Sequence, residues 1–354
     1  MNSINVDHLF QPQPSDPVAT ETDIRIRWEP ARLQHALALP AYAHHHHDGT
    51  GLDKAGQASK GRILSWLMAN PFPMGEHYQS AMECALRVPV FFYALKRLDN
   101  LTSDEYHRML KAIYLHGWLI SKKLSLYSSL GNHTIAEAVG LVFAGAVFRS
   151  TRRGKDWLGT GIKLLNDELA RQVLDDGGPA EQSLAYHRFV LDLYWLAMDF
   201  IQKNNLGNIR HWQKRLVAGE VFLETFKNQN RLLPAIGDSD DGYAVAPGIA
   251  PRRIAPDHSM ENFVTFPDSG YTVIRNDNLV FTLDHGPLGM PPLYNHGHAD
   301  ALSITLSKNG RPMLVDPGTY RYNGVPQWRK YFKGTRAHNT VTIDDQDQAV
   351  QETG

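Results

Sequence analysis

Two periodicities divide the chain. From Arg62 to about Lys227 apolar residues recur at helical spacing, and from Asn262 onward they alternate with polar ones. The first region predicts helices over Tyr78–Leu98, Ser103–Ser125, Ile135–Arg149, Lys155–Gln172, Glu181–Asn204 and Asn208–Lys227, with a short one over Trp28–Leu39 before them. Ser103-Asp104-Glu105 offers an N-cap and an acidic first turn. Pro89 predicts a kink in the helix that holds it. Long helices with short Gly- and Asn-rich connections suggest an array of helical hairpins.

The second region predicts strands at Phe263–Phe266, Tyr271–Ile274, Leu279–Leu283, Leu302–Leu306, Arg311–Asp316 and His338–Asp344. Such short alternating runs form an antiparallel sheet or sandwich. The domain reading is therefore a loose arm over 1–24, a helical domain over 25–235, a Pro-rich linker over 236–260 and a β domain over 261–354. The sequence stops at Gly354 in polar text, so the expectation is a sandwich that is incomplete at its C-terminal end.

A chain of 354 residues, 42% hydrophobic, can bury two substantial cores. Its 36 Lys and Arg nearly cancel its 37 Asp and Glu, so no global field draws it to nucleic acid or to a membrane surface. Cys84 is the single cysteine, which excludes an intrachain disulfide. The first residues lack the basic and apolar regions of a signal peptide. No apolar run approaches the roughly 20 residues of a membrane span. The sequence carries no signature of an oligomeric state.

The candidate chemistry lies in three short stretches, Tyr294 to Asp300, Leu314 to Tyr320 and Arg336 to Thr340. If the strand after Asp300 extends backward, His296 and His298 project from one face. His298, Asp316 and His338 each stand near the end of a predicted strand, and two imidazoles with a carboxylate suit zinc. Against this, a single His-x-His is more often a solvent-facing or core pair than a ligand set. The run His44–His47 beside Asp48 is better read as a polar loop, because consecutive side chains do not point at one ion. Among the helix starts, Asn132, His133, Glu137, Tyr186, His187 and Arg188 draw attention. Asn132 also fits an ordinary helix cap, and Tyr186 and His187 fit core aromatics. Gly237 to Tyr243 is a carboxylate-rich turn whose spacing does not match a calcium loop, so it is read as a hydrogen-bonded junction.

Several reaction types find no support. There is no carboxylate pair placed for glycoside hydrolysis, no Gly-x-Ser-x-Gly nucleophile and no phosphate loop. Suppose instead that Asn132, His133, Tyr186 and Arg188 face His296, Tyr320 and Tyr331 across a cleft. Such proton carriers and amide donors suit removal of a proton α to a carboxylate, followed by loss of a β-oxygen. In a uronic acid these are the C5 proton and the C4 oxygen. Asn132 would hydrogen-bond the carboxylate, and a tyrosine would act as base if Arg188 or a histidinium lowered its pKa.

Gly131-Asn132-His133, Tyr186-His187, Gly237-Asp238 to Gly242, Asn295-His296-Gly297-His298-Ala299-Asp300, Val315-Asp316-Pro317-Gly318 and Ala337-His338-Asn339-Thr340 resemble the heparinase II/III-like polysaccharide lyases. The matches run in the family's order from about residue 60 to the end. The resemblance implies an incomplete (α/α) toroid followed by an antiparallel β-sandwich, with an acidic polysaccharide in the cleft between them. It implies zinc ligands at His298, Asp316 and His338, where the metal is mainly structural. It implies a carboxylate-neutralising Asn132, catalytic Tyr186 and His296, a second base at His133 and a further tyrosine at Tyr331. Substrate contacts are expected from His187, Arg188, Asn295 and Tyr320. A periplasmic or secreted location also follows from the resemblance, although no signal peptide is visible. Two other readings compete: a non-catalytic carbohydrate-binding or assembly protein, and a zinc-dependent hydrolase. Few Lys/Arg clusters adjoin the motifs, which leans away from heavily sulfated substrates.

Overall fold

The computed structural model describes residues 22–45, 49–98, 101–127, 129–239, 242–255 and 261–350. In these residues a helical domain precedes an antiparallel β domain. The helices are α1 (Arg25–Ala31), α2 (His35–His45), α3 (Gly49–Ala69), α4 (Ala81–Arg97), α5 (Ser103–Lys122), α6 (Asn132–Val147), α7 (Arg152–Gln172), α8 (Leu184–Lys203) and α9 (Trp212–Phe226). The strands are β1 (Phe263–Phe266), β2 (Tyr271–Asn276), β3 (Leu279–Asp284), β4 (Ile304–Lys308) and β5 (Arg311–Leu314), followed by α10 (Pro326–Lys333). None of the described helices is long and apolar enough to cross a membrane.

Helices α4, α6 and α8 pack against one another in turn, with α5, α7 and α9 beside them. Nearly every residue of α6 is buried, which is why its sequence is apolar around the whole circumference. Gly140 lets α6 approach α4: a Cβ there would lie 2.8 Å from the Cα of Ala85. Arg32 is fixed to α4 by a buried ion pair, Nε to Glu83 Oε2 at 2.8 Å and Nη2 to Oε1 at 2.7 Å.

Local chemistry moved several helix boundaries. The expected Trp28–Leu39 helix is two helices, because Leu33 takes a left-handed φ of 60° between them. Helix α3 begins well before Arg62, under a Gly-, Asp- and Gln-containing sequence that hides its periodicity. The α5 cap is Thr102, one residue before the expected Ser103, with a full capping box to Glu105. Helix α8 starts at Leu184, since Gln182 has φ 54° and the Ser183 side chain accepts from the Tyr186 N–H. Helix α4 continues through Pro89. The four-histidine run begins in α2; His46, His47 and Asp48 lie outside the described residues, as do Asp240 and Asp241.

The sheet is a five-stranded antiparallel meander in the order β1-β2-β3-β4-β5. Two expected strands changed. The Leu302–Leu306 strand starts at Ile304, because Leu302 is a left-handed turn residue at φ 63°. His338–Asp344 is irregular apart from an isolated bridge between Ile343 and Gln346. Nor is the segment before the sheet a simple solvated linker, since Ala244 and Ala246 are buried in the helical core. Helix α10 had no counterpart among the expected elements.

One core spans both domains. Phe222 and Phe226 of α9 meet Phe266 at 4.6 Å and Tyr271 at 5.5 Å between ring centres. The Asp176 carboxylate after α7 accepts the backbone N–H groups of Asp268 and Ser269, each at 2.8 Å. Arg275 Nη1 donates to the carbonyls of Glu224 and Thr225 at the end of α9. These contacts fix the sheet against the ends of the helices.

Buried Glu137 in α6 accepts from the N–H and the hydroxyl of Ser125, both at 2.7 Å, and burial raises its pKa from 4.5 to about 7. Folding therefore favours its protonated form. Its contribution to stability is full below about pH 4.5 and is lost as pH rises through about 7. Glu137→Gln should flatten the fall in melting temperature between these pH values. Parallel melting curves for the two proteins would show that another group causes the fall.

Candidate functional site

The site is organised around Asp238, fully buried in the turn after α9. Its Oδ1 accepts from Arg329 Nη1, from Thr319 Oγ1 at 2.7 Å and from His298 Nε2 at 3.0 Å. Its Oδ2 accepts from Arg329 Nη2 at 2.6 Å and from His296 Nδ1 at 3.0 Å. Burial alone would raise this carboxyl. The hydrogen bonds from Arg329, His296 and His298 outweigh burial and hold it well below the ordinary carboxylate range.

An ionised Asp238 sets both tautomers. With its Nδ1–H given to Asp238, His296 turns an unprotonated Nε2 to the Asn132 amide, 3.0 Å from Nδ2. With its Nε2–H given to Asp238, His298 turns Nδ1 to His338 Nε2 at 3.1 Å. His338 in turn gives its Nδ1–H to the Gly334 carbonyl at 2.8 Å. Asp316 Oδ1 lies 3.7 Å from His338 Nε2. Two lone pairs and a carboxylate thus face one another in a buried space, and one ligand atom from each residue lies within 4.8 Å of the others. Burial, with Asp300 nearby, pushes Asp316 well above the ordinary carboxylate range. Each histidine has its outer nitrogen held by a carboxylate or carbonyl, the arrangement of a metal ligand. The donor set fits a divalent cation.

Asn132 is the first residue of α6 rather than its cap; Gly131 takes that position at φ 118°. The Asn132 N–H donates to Glu181 Oε1 at 3.0 Å, and Nδ2 lies 3.4 and 3.3 Å from the two Glu181 oxygens. Its Oδ1 is buried with no partner. Burial raises Glu181 above the usual carboxylate range. Tyr186 stacks on His296 with ring centres 3.8 Å apart and planes at 21°. The Tyr186 and Tyr322 hydroxyls share a hydrogen bond of 2.7 Å, and the Arg329 guanidinium lies 4.9 Å from the Tyr322 ring centre. His133 is beside this group and is kept neutral, its pKa lowered to about 4 by burial and then by His296.

The structure thus brings together Asn132, His133, Tyr186 and His296, and separately His298, Asp316 and His338. Other expected residues stand elsewhere. His187 is a core side chain that donates Nε2–H to the Gly177 carbonyl at 2.9 Å and packs edge-on to Phe222, so it does not face the cleft. Arg188, two residues beyond Tyr186, is about 200° around α8 from it, and its charge acts on Asp192. Asn295 is anchored by its carbonyl, which accepts from Lys333 Nζ at 3.1 Å. The tyrosine that meets the Tyr186 hydroxyl is Tyr322, not Tyr331; Tyr331 packs on Trp328 and Phe332 at the surface. Tyr320 stacks on Phe332. Nor do His296 and His298 project from an extended strand: they occupy a loop and reach Asp238 through opposite ring nitrogens. Sequence reasoning missed Asp238, Arg329, Tyr322 and Glu181 as site residues. Asp238 sat in a quoted motif and Glu181 at a noted helix start; the other two had no local signal.

A family model described as Heparinase II/III N-terminus matches residues 19–245, and one described as heparinase II/III-like, C-terminal, matches 259–354. The chain belongs to the heparinase II/III-like family. It is similar to a heparin-sulfate lyase of Pedobacter heparinus, 24% identical over 372 residues, covering 93% of this chain and 53% of that protein. A heparin-sulfate lyase of Bacteroides stercoris is 25% identical over 252 residues, covering 63% of this chain and 37% of that protein. The chain thus spans about half the length of the first of these relatives and less of the second. Among solved structures, heparinase III matches with a TM-score of 0.72 at 20% identity, over 96% of this chain and 57% of that one. Heparan sulfate lyase HepC of Pedobacter heparinus matches with a TM-score of 0.58 at 22% identity, over 93% and 55%. At such identities the structural likeness establishes the family's fold.

Gly131 is the local requirement of the Asn132 arrangement, since a Cβ there would lie 1.8 Å from Glu181 Oε1 and the φ disfavours any side chain. Gly131→Ala should lower the melting temperature by several degrees and displace Asn132. A variant with unchanged melting temperature and an unchanged Asn132 side chain in its crystal structure would contradict this.

Proposed function

We propose that this heparinase II/III-like chain is a polysaccharide lyase that cleaves a uronate-containing glycosaminoglycan by β-elimination. The observation that carries the reading is the meeting of Asn132, Tyr186 and His296 at one point between the domains, with Asn132 Nδ2 3.0 Å from His296 Nε2. The heparin-sulfate lyases among its relatives support the substrate class.

The chemistry follows from the positions. The C5 proton of a uronate is weakly acidic because its removal builds charge on a carboxylate that is already ionised. Asn132 at the first turn of α6 offers Nδ2–H to that carboxylate at the positive end of the helix. Such a preorganised donor is worth about 3–4 kcal/mol in the transition state. Tyr186 and His296 form the acid–base pair. The C–H electron pair becomes the C4–C5 double bond, the C4–O bond breaks, and the departing oxygen receives a proton. Which of the two residues takes the C5 proton follows from the stereochemistry at C5. The cation that stands beside the phenols is Arg329, its guanidinium 4.9 Å from the Tyr322 ring centre. Neutral His133 adds a hydrogen-bonding group beside His296.

His298, Asp316 and His338 would hold zinc, which when bound supplies charge and rigidity to the β domain. The side chains of these residues are almost completely buried, which favours a structural ion over one that activates water for hydrolysis.

Ultraviolet absorbance during incubation with heparan sulfate, heparosan, hyaluronan and alginate tests the reading. An unsaturated-uronate band should grow, Asn132→Ala should slow it by about 10²–10³-fold, and His296→Ala should abolish it. New reducing ends without that band would indicate hydrolysis and overturn the proposal.

The metal assignment has its own test. His298→Ala should lose bound zinc and melt at lower temperature, while His296→Ala keeps its zinc. Equal zinc content in His298→Ala and the parent protein would refute the ligand set.

A further inference from the structure

Helix α10 presents a surface that the elimination chemistry does not use. Its residues Trp328, Tyr331 and Phe332 follow i, i+3, i+4 spacing and so share a side. Together with Tyr320 they form a continuous aromatic group: Tyr320 to Phe332 is 5.5 Å between ring centres, Tyr320 to Trp328 5.9 Å and Trp328 to Tyr331 6.0 Å. These rings do not form a core. Tyr320 is 50% exposed, Trp328 40% and Tyr331 52%. Exposed apolar groups gathered in this way are a feature of interaction surfaces.

The charges on the same helix are all of one sign. Arg329, Lys330 and Lys333 are its ionisable groups besides Tyr331, and α10 contains no acidic residue. The surface also joins the site directly. Arg329, one residue after Trp328, holds Asp238 through both oxygens, and Lys333 holds the Asn295 carbonyl next to His296. Helix α10 is thereby fastened to the cleft on one side and carries its open rings on another. The fold thus places an aromatic ledge beside the acid–base pair, on a helix whose charged residues are all basic.

We propose that Trp328, Tyr331 and Tyr320 form an extended subsite for an acidic polysaccharide beyond the residues being cleaved. The flat C–H faces of sugar rings stack on the exposed indole and phenols, while the wholly basic charge of α10, with exposed Lys330 about 200° around the helix from Trp328, attracts an acidic chain through its field. The inference rests on the lyase reading for its direction along the substrate, and on charge complementarity and continuity with the site for its occupant. Binding of this kind is weakened by salt through its charged part and keeps its stacking part.

The experiment uses the full chain carrying His296→Ala, so that polymer is not consumed, in affinity electrophoresis through gels containing heparan sulfate, heparosan or, as a neutral comparison, dextran. Trp328→Ala with Tyr331→Ala added should weaken retardation by the acidic polymers about tenfold or more. Trp328→Phe alone should retain most of it, and dextran should retard none of the proteins. Melting temperatures equal to the parent's would show that the substitutions act at the surface. Undiminished binding by the double variant, equal retardation by dextran, or no retardation of the parent by any acidic polymer would each overturn the subsite. The two proposals fail separately. A wild-type protein that produces unsaturated product while the double variant binds normally removes the subsite alone. Loss of binding in the double variant, with no product from the wild type, removes the lyase reading and upholds the subsite.

Discussion

The Asp238 carboxylate is the constraint on which the site depends. A buried anion is costly unless it is paired and fully hydrogen-bonded, and here Arg329, His296, His298 and Thr319 surround both oxygens. The same contacts determine which nitrogen of each imidazole carries a proton. His296 and His298 are two residues apart and use opposite ring nitrogens on one acid. One is left with a lone pair facing Asn132, the other with a lone pair facing His338. The proposed acid–base residue and the proposed metal ligand are therefore linked through one carboxylate. Removing Arg329 would leave the anion undercompensated and disturb both.

The helical side of the site is built with equal dependence on backbone geometry. Gly131 turns the chain so that α6 begins at Asn132 with Glu181 against it, and Ser183 starts α8 so that Tyr186 stands in the first turn. Asn132 and His296 are 164 residues apart in sequence yet within hydrogen-bond distance. What holds them so is remote from the chemistry: the Phe222, Phe226, Phe266 and Tyr271 rings, and the polar contacts of Asp176 and Arg275. A core shared by both domains sets the two sides of the cleft against one another.

Periodicity alone determined most of the architecture. Helical spacing from Arg62 to Lys227 and alternation after Asn262 marked two domains and their order, because those patterns are imposed by which faces must be buried. The motifs around Asn132, Tyr186, His296, His298, Asp316 and His338 were legible too, since each is a compact run of chemically unusual residues. Tertiary structure decided what those residues do together. It placed His187 in the core, because a helix rotates consecutive side chains by about 100° and packing selects which of them faces the cleft. It brought Tyr322, from the loop before α10, to the Tyr186 hydroxyl, and Arg329, from α10 itself, to Asp238; a loop residue and a helix of eight residues carry too little pattern to be recognised. Asp238 shows the limit most plainly. Its turn was visible as a junction, but an acid becomes the hub of a site only when four groups distant in sequence converge on its two oxygens, and convergence is a property of the fold.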